Sequence, residues 1–134
     1  MTVFPGFSPE SVGNMAFAVE FSTESERDFE AIFDHLFESY AGFGESAEEA
    51  LNHASLRITG IRKAAAALAI FPERGTLRDD VLSGARHLTI DRAIYWFEVD
   101  PTMKKVRILA IFFGGQDHVR HMLVRLLRGD EAAK

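Results

Sequence analysis

The stretch IYWFEVDPTMKKVRILAIFF, residues 94–113, decides the fold class of this chain. β-Branched and aromatic residues fill positions 94–99, apolar residues fill positions 106–113, and each run predicts a strand. The connection DPTMKK is too short for a crossover, so the two strands are predicted to pair antiparallel. Because residues 106–113 are apolar on nearly both faces, we expect them to form a central strand.

Two further strands are predicted outside this hairpin. Residues 86–90 (RHLTI) are joined to it by the tight link DRA, which predicts an antiparallel neighbour. Residues 16–21 (AFAVEF) alternate between apolar and other side chains, which predicts a short N-terminal strand. We therefore expect an antiparallel sheet of about four strands.

A helical period follows the first predicted strand. From Ser22 onward, apolar residues recur at spacings of three and four, which predicts a helix capped by Ser22 or Thr23 and ended near Gly42 and Gly44. Its apolar stripe consists of Phe29, Ile32, Phe33, Leu36, Phe37 and Tyr40.

A second helix is predicted to begin at Ser46, which has capping-box spacing to Glu49, and to end before Pro72. Its apolar seam consists of Leu51, Ala54, Ile58, Ile61, Ala65 and Leu68. A narrow seam of this kind suits antiparallel packing against the first helix, so the two helices are predicted to form a hairpin.

The last predicted element is an amphipathic helix over residues 117–128, with Asp117 as its cap. The complete order predicts an α+β fold, in which a two-helix hairpin packs on the antiparallel sheet and a helix closes the chain. With 134 residues and no linker, we expect one domain over 1–134. Residues 1–14 are interpreted as an extension, and residues 117–134 as the C-terminal helix and tail.

Composition excludes several classes of protein. The chain has no cysteine, so disulfides, thiolate nucleophiles and zinc–thiolate sites are ruled out. No apolar run approaches the ~20 residues that span a bilayer, and the N-terminus lacks the pattern of a signal peptide. We therefore expect a cytoplasmic protein with no membrane partner.

The formal net charge of -5 conceals an asymmetry. Residues 1–56 hold 11 acidic side chains and one basic side chain, whereas residues 57–128 hold 13 basic and 7 acidic side chains. Two interpretations remain open: solvated faces that attract each other within the chain, or a basic surface for an acidic partner or a polyanion.

The order of these segments resembles the RelE/ParE superfamily, the toxins of bacterial type II toxin–antitoxin (plasmid stabilisation) systems. The resemblance rests on the opening strand with Ser22 and RDFEAIFDHL, on FPERG (71–75), on Arg86 and Arg92 at the starts of two strand segments, and on VRILAIFFGGQD. It covers roughly residues 16–117.

The resemblance implies a toxin that a small ParD-like antitoxin neutralises, as a homodimer or as a heterotetramer with that antitoxin. ParE-like members act on DNA gyrase, and RelE-like members are ribosome-dependent mRNA endoribonucleases. No cofactor is implied.

Two positions favour the ParE-like branch. Nuclease members commonly close the last strand with a histidine followed by a glycine and basic residues, where this chain has Phe113, Gly114, Gly115 and Gln116. Where such members often carry tyrosine, this chain has Phe97. A phenyl ring cannot transfer a proton to or from a ribose hydroxyl, which disfavours RNA cleavage. The resemblance then implies a ParE-like protein that inhibits gyrase by binding it.

If the protein is instead a nuclease, the predicted catalytic candidates are Arg86, Arg92 and Arg107, which would hold phosphate charge. A surface ion pair is the alternative reading for Arg86 and Arg92. The predicted target- or antitoxin-contact residues are Arg74, Arg86, Arg92, Leu109, Ile111, Phe113, Arg120, Arg125 and Arg128.

His118 and His121 lie three residues apart on the last predicted helix. A metal site needs three or four ligands, so no metal is predicted, and the two histidines are interpreted as part of a polar helix face that could touch a partner.

We also expect an exposed apolar patch. The helical hairpin should cover one sheet face, leaving Leu109, Ile111 and Phe113, or their neighbours, on the other. The last helix is predicted to cover part of this patch, and an antitoxin the rest.

Overall fold

A computed structural model of the chain describes residues 17–114 and 117–129. The elements in chain order are β1 (Ala18–Phe21), α1 (Thr23–Gly42), α2 (Ala47–Ala64), a 3-10 segment (Ala65–Ala69), β2 (Thr76–Leu77), β3 (Ala85–Ile90), β4 (Ala93–Asp100), β5 (Lys105–Phe113) and α3 (His118–Leu127). The predicted extension 1–14, the positions Gly115 and Gln116, and the end of the predicted tail lie outside the described residues.

The α+β class and the order of elements are confirmed, but the sheet has five strands in the order β1-β5-β4-β3-β2. The expectation of a wholly antiparallel sheet is wrong, since β1 runs parallel to β5. The helical hairpin that follows β1 returns the chain across the sheet, and such a crossover permits parallel pairing. The fifth strand, β2, has two residues, too few for a periodic signal.

The central position predicted for β5 is confirmed, because β5 lies between β1 and β4. An irregularity interrupts its pairing with β4: Trp96 lies opposite Ala110, but Phe97 lies opposite Ile108. Leu109 is therefore the extra residue of a β-bulge, which reverses the facing of side chains on either side of it.

Because of the bulge, Leu109, Ile111 and Phe113 do not form the single exposed patch that was expected from the sequence. Ile111 and Phe113 belong to the core beneath the helical hairpin, whereas Leu109 belongs to the core on the opposite sheet face. Leu109 and Ile111 are each only 2% exposed, so neither offers a surface to a partner in this conformation.

Two apolar layers enclose the sheet. The helical hairpin packs on one face over residues such as Tyr95 and Phe97, and α3 packs on the other over Trp96. The predicted covering of that second face by the last helix is thus observed, with Met122 fully buried in the contact. Leu127, which was expected on the same stripe, is 86% exposed.

The helix starts test the predicted caps. Ser22 caps α1, since its hydroxyl accepts a hydrogen bond from the amide of Ser25 at 3.1 Å. Thr23, the other predicted cap, is the first residue of the helix. Ser46 and Glu49 form the predicted capping box of α2. The predicted cap of α3 is wrong: Asp117 has a φ of +55° and makes no side-chain cap hydrogen bond, because a cap residue normally requires an extended backbone.

The second helix also ends differently from the prediction. Its α-helical hydrogen bonding stops at Ala64, and a 3-10 segment carries the chain on to Ala69, ahead of Pro72. Within residues 17–114 and 117–129, no helix is both long and apolar enough to cross a membrane.

Candidate functional site

The turn between β3 and β4 places an arginine at the end of the sheet. Ile90 pairs with Ala93, so Asp91 and Arg92 form a two-residue turn with φ values of +53° and +71°. These signs are those of a type I′ turn, in which glycine is favoured at the second position. The turn is fixed to β5, because the carbonyl of Arg92 accepts the amide of Gly114 at 2.9 Å.

Two guanidinium groups approach the ring of Phe113. The Cζ atom of Arg92 is 5.3 Å from the ring centroid, and the Cζ atom of Arg57, on α2, is 5.4 Å from it. Arg57 also donates a hydrogen bond of 3.0 Å to the carbonyl of Asp91. We call Arg57, Asp91, Arg92 and Phe113 the Phe113 cluster. No sequence pattern marks Arg57 as a site residue, because only the tertiary fold brings α2 to this turn.

The two guanidinium groups of the Phe113 cluster lack an acidic side-chain partner. Among residues 17–114 and 117–129, no carboxylate oxygen lies within 4.0 Å of the nitrogens of Arg57 or Arg92. Their contacts are the cation–π contacts with Phe113 and the backbone bond to Asp91. The cluster therefore places two guanidinium groups and the carboxylate of Asp91, a net charge of +1, at one end of the sheet.

A cleft of about 180 Å³ opens beside the cluster, between α2 and the β3–β4 hairpin. Its lining residues are Leu56, Arg57, Gly60, Ile61, Ala64, Ile90, Asp91 and Tyr95. The hydroxyl of Tyr95 donates a hydrogen bond of 2.6 Å to the carbonyl of Ile61, which joins the sheet to α2 beneath the cleft. Burial raises the pKa of Tyr95 to about 12, so this phenol stays protonated at neutral pH.

The cluster is suited to binding and poorly suited to proton transfer. Phe113 has no proton to exchange, and Tyr95 is held neutral with its hydroxyl committed to a carbonyl. Guanidinium groups remain charged at all physiological pH values and donate to carboxylates or phosphates. The site can therefore hold an anionic group beside an apolar one.

Solved structures share this architecture. A chain of the chromosomal ParDE toxin–antitoxin system from P. aeruginosa has a TM-score of 0.56 and 21% identity, over 76% of this chain and 99% of that chain. A chain of the toxin–antitoxin complex RelBE2 from Mycobacterium tuberculosis has a TM-score of 0.52 and 17% identity, over 74% of this chain and 92% of that chain. This chain has the RelE/ParE fold. No family model and no curated protein matches the sequence.

The RelE/ParE fold disperses the three arginines predicted as nuclease candidates. Arg92 lies at the β3–β4 turn, whereas Arg86 lies at the far end of β3, about 13 Å from Ile90 at about 3.3 Å per residue. Arg86 pairs with Phe97 and Arg107 with Glu98, so the two arginines face opposite sides of the sheet. The structure thus does not gather these side chains around one phosphate position.

Each of these arginines away from the cluster has a local partner. Arg86 donates to the carbonyl of Glu73 at 3.1 Å, and Arg107 lies 3.8 Å from Glu98. Arg74 is exposed in the turn that precedes β2.

The arginines of α3 differ in their roles. Arg125 forms two hydrogen bonds, of 2.8 Å and 3.0 Å, with the carboxylate of Asp28 on α1. Arg120 is exposed, and Arg128 ends the helix as its C-cap. Arg125 therefore has a structural role, because it joins α3 to α1.

A second polar cluster lies on the α3 side of the sheet, which we call the His87 cluster: Arg78, His87, Trp96 and His118. The indole nitrogen of Trp96 donates to Nδ1 of His118 at 3.1 Å, and the two imidazole rings are 4.7 Å apart. Arg78 lies 3.4 Å from Nε2 of His87 and is paired with Asp80 at 2.7 Å. The sequence pattern relates His118 to His121, three residues away, whereas the fold brings His118 next to His87.

Burial is the main reason why the pKa values of His87 and His118 are lowered. Nearby positive charge acts in the same direction, from Arg78 on both rings and from His118 on His87. Within the described part of the chain, no group of three or more potential ligands could hold a metal ion.

Proposed function

We propose that the protein is the toxin of a type II toxin–antitoxin pair, and that it inhibits DNA gyrase by binding it, as ParE-like proteins do. A ParD-like antitoxin would be its neutralising partner. The RelE/ParE fold supports the toxin assignment, because both similar structures come from toxin–antitoxin systems.

One observation carries the choice of binding over catalysis: Phe113, which contacts Arg57 and Arg92, occupies the position where nucleases of this fold often have a histidine. General acid–base catalysis of RNA cleavage requires a titratable group within hydrogen-bonding reach of the ribose hydroxyl. In the Phe113 cluster, the phenyl ring and the guanidinium groups cannot serve as a base, and they instead build a binding surface.

Two assays on the purified protein test this proposal. We expect inhibition of DNA supercoiling by gyrase and no cleavage of mRNA on translating ribosomes. Replacing Arg57 with Ala should weaken inhibition, whereas Lys63→Ala should not, because Lys63 lies on the same helix, is exposed and is outside the cluster. Cleavage of mRNA with unchanged supercoiling would overturn the proposal.

A RelE-like, ribosome-dependent mRNA endoribonuclease is the second candidate function. The TM-scores of 0.56 and 0.52 barely separate the ParDE and RelBE2 structures. The His87 cluster also holds two imidazoles beside Arg78, and such groups can transfer protons and hold a phosphate. If this function is correct, His87→Ala should abolish mRNA cleavage while the fold persists.

A further inference from the structure

We infer that the cleft between α2 and the β3–β4 hairpin is a docking site for a protein segment that places an apolar side chain next to a carboxylate. The apolar side chain would enter the cleft, and the carboxylate would bind Arg57 and Arg92. The inference rests on the proposed function only in treating this end of the sheet as a protein-binding surface.

Charge complementarity identifies the anionic half of the ligand. Arg57 and Arg92 both approach the ring of Phe113, at 5.4 Å and 5.3 Å, and neither is paired with a carboxylate of the described residues. A guanidinium binds a carboxylate through paired N–H donors, and such charge-assisted bonds are stronger than neutral ones. A carboxylate bound at this end of the sheet would give these guanidinium groups an acidic partner.

The cleft supplies the apolar half of the site. Ile61, Ile90 and Tyr95 contribute to its wall, and Leu56 beside it is 73% exposed. Its volume of about 180 Å³ exceeds the roughly 150 Å³ of a cavity that binds benzene, so one large aliphatic or aromatic side chain would fit. Gly60 leaves its entrance open, because a Cβ atom there would meet nothing within 4 Å.

The conformation of Arg92 supports a binding role for its side chain. A φ of +71° is strained for any L-residue with a side chain, and glycine would relieve that strain. The presence of arginine at a position that favours glycine therefore supports a binding role for its guanidinium at the cleft. Strained residues of this kind concentrate at functional sites.

A nucleic acid fits the same surface less well. The ring of Phe113 already contacts two guanidinium groups, so a base would have to compete with them for stacking on it. Nucleic-acid affinity arises mainly from many phosphate contacts, whereas the cluster has two arginines and the whole chain has a net charge of -5. A single carboxylate does not require an extended basic surface.

The test is a titration of the full chain with short capped peptides, followed through the backbone amide NMR signals of Gly60, Ile61 and Gly114. The probes are Gly-Leu-Glu-Gly, its glutamine analogue Gly-Leu-Gln-Gly, its alanine analogue Gly-Ala-Glu-Gly, and an oligoadenylate RNA. We expect the first peptide to bind with a Kd of about 1–10 mM, which is typical of so small a contact. Both analogues should bind at least about fivefold more weakly, and the RNA should leave these signals unchanged.

Variants locate the contact. Arg57→Ala and Arg92→Gly should each weaken binding of Gly-Leu-Glu-Gly about tenfold, which is the loss of one charge-assisted contact. Gly60→Leu should block the cleft without unfolding α2, because leucine is a good helix former and its Cβ has space. Lys63→Ala, which removes an equal charge from the same helix, should leave the Kd unchanged.

Equal binding of the glutamate and glutamine peptides would overturn the inference, as would the absence of shifts at about 10 mM peptide. Shifts of the same amides by the RNA alone would assign the surface to nucleic acid and would overturn it too. The gyrase assay is independent: peptide binding without gyrase inhibition would reject the proposed function alone, and inhibition without peptide binding would reject this inference alone.

Discussion

Asp28 on α1 binds Arg125 on α3 through two hydrogen bonds, and the same carboxylate accepts the amide of Ile111 on β5 at 2.9 Å. β1 pairs with β5 only as far as Ile108, so the amide of Ile111 lies on a stretch of β5 that β1 does not reach. One side chain thereby completes the hydrogen bonding of a central strand and attaches the last helix. Burial raises the pKa of Asp28, although the bonds from Arg125 and Ile111 act in the opposite direction.

Removing Arg125 should therefore destabilise the fold strongly. The side chains of Arg125 and Asp28 are only 13% and 12% exposed, so Arg125→Ala leaves a nearly buried carboxylate without its counter-ion. We expect a loss of about 3 kcal/mol in the free energy of unfolding. Urea denaturation followed by the fluorescence of Trp96, the single tryptophan, measures it. Arg120→Ala, an exposed change on the same helix, should stay within about 0.5 kcal/mol, and an equal loss in both variants would refute the assigned role.

Gly75 is predicted to tolerate no side chain. It has a φ of +88°, and a Cβ atom there would clash with the carbonyl oxygen of His87 on β3. Gly75→Ala should lower the free energy of unfolding by at least about 2 kcal/mol, because the backbone of β3 must shift. Gly60→Ala is the matched control: it lies in α2 with open space around it and should stabilise the helix by about 1 kcal/mol. Thermal unfolding that ranks the two variants in the opposite order would contradict this account.

Arg92 is predicted to lower the free energy of unfolding, although its guanidinium contributes to binding at the cleft. Arg92→Gly removes the strain of a φ of +71° and should raise the free energy of unfolding by about 1 kcal/mol. Arg92→Ala removes the same guanidinium but keeps a Cβ atom in the left-handed region, so it should not be stabilised. Chemical denaturation of the two variants side by side separates backbone strain from the loss of the cation–π contact with Phe113. No difference between them would show that the turn is unstrained.

The His87 cluster predicts a loss of stability in mild acid. Because the folded pKa values of His87 and His118 are lowered from 6.5, the unfolded chain binds protons more readily than the folded chain does. Stability is thus fully present above about pH 6.5 and declines as the pH falls through the lower folded values. Protonation would also place a hydrogen on Nδ1 of His118, where it now accepts from Trp96, and would add positive charge beside Arg78.

Denaturation midpoints measured between pH 7.5 and pH 5 test this prediction. His118→Gln should flatten the pH dependence, since glutamine can still accept from the indole but does not titrate. Lys63→Ala should keep the dependence of the parent protein. A parent protein whose midpoint rises on acidification would show that the sign is wrong.

Local patterns in the sequence were sufficient for most elements. The β-branched and aromatic run of β4, the apolar run of β5 and the capping box of Ser46 and Glu49 depend on residues close together in the chain, and all three were predicted correctly. The resemblance drawn from the order of these segments agrees with the RelE/ParE fold seen in the solved structures.

The charge asymmetry was left open by the sequence and is partly resolved by the fold. Acidic residues of the first 56 positions pair with basic residues that follow: Glu26 with Arg62 at 2.6 Å, Glu20 with Lys105 at 2.8 Å, and Asp28 with Arg125 at 2.8 Å. These ion pairs support the first interpretation of the charge asymmetry, attraction between acidic and basic segments within the chain. Arg57 and Arg92 are not neutralised in this way, which is why they define the candidate site.

Only the tertiary structure determines which residues form the candidate site and which sheet face each side chain of β5 lies on. The bulge at Leu109 depends on the register between β4 and β5, and a shift of one residue exchanges the two sheet faces without any change in composition. The Phe113 cluster joins α2, the β3–β4 turn and the end of β5: Arg57 precedes Arg92 by 35 positions, and Arg92 precedes Phe113 by 21. The sequence by itself determined which segments become helix or strand, because those choices depend on neighbouring residues. Which side chains meet across the sheet is set by packing between distant segments, and no local pattern records it.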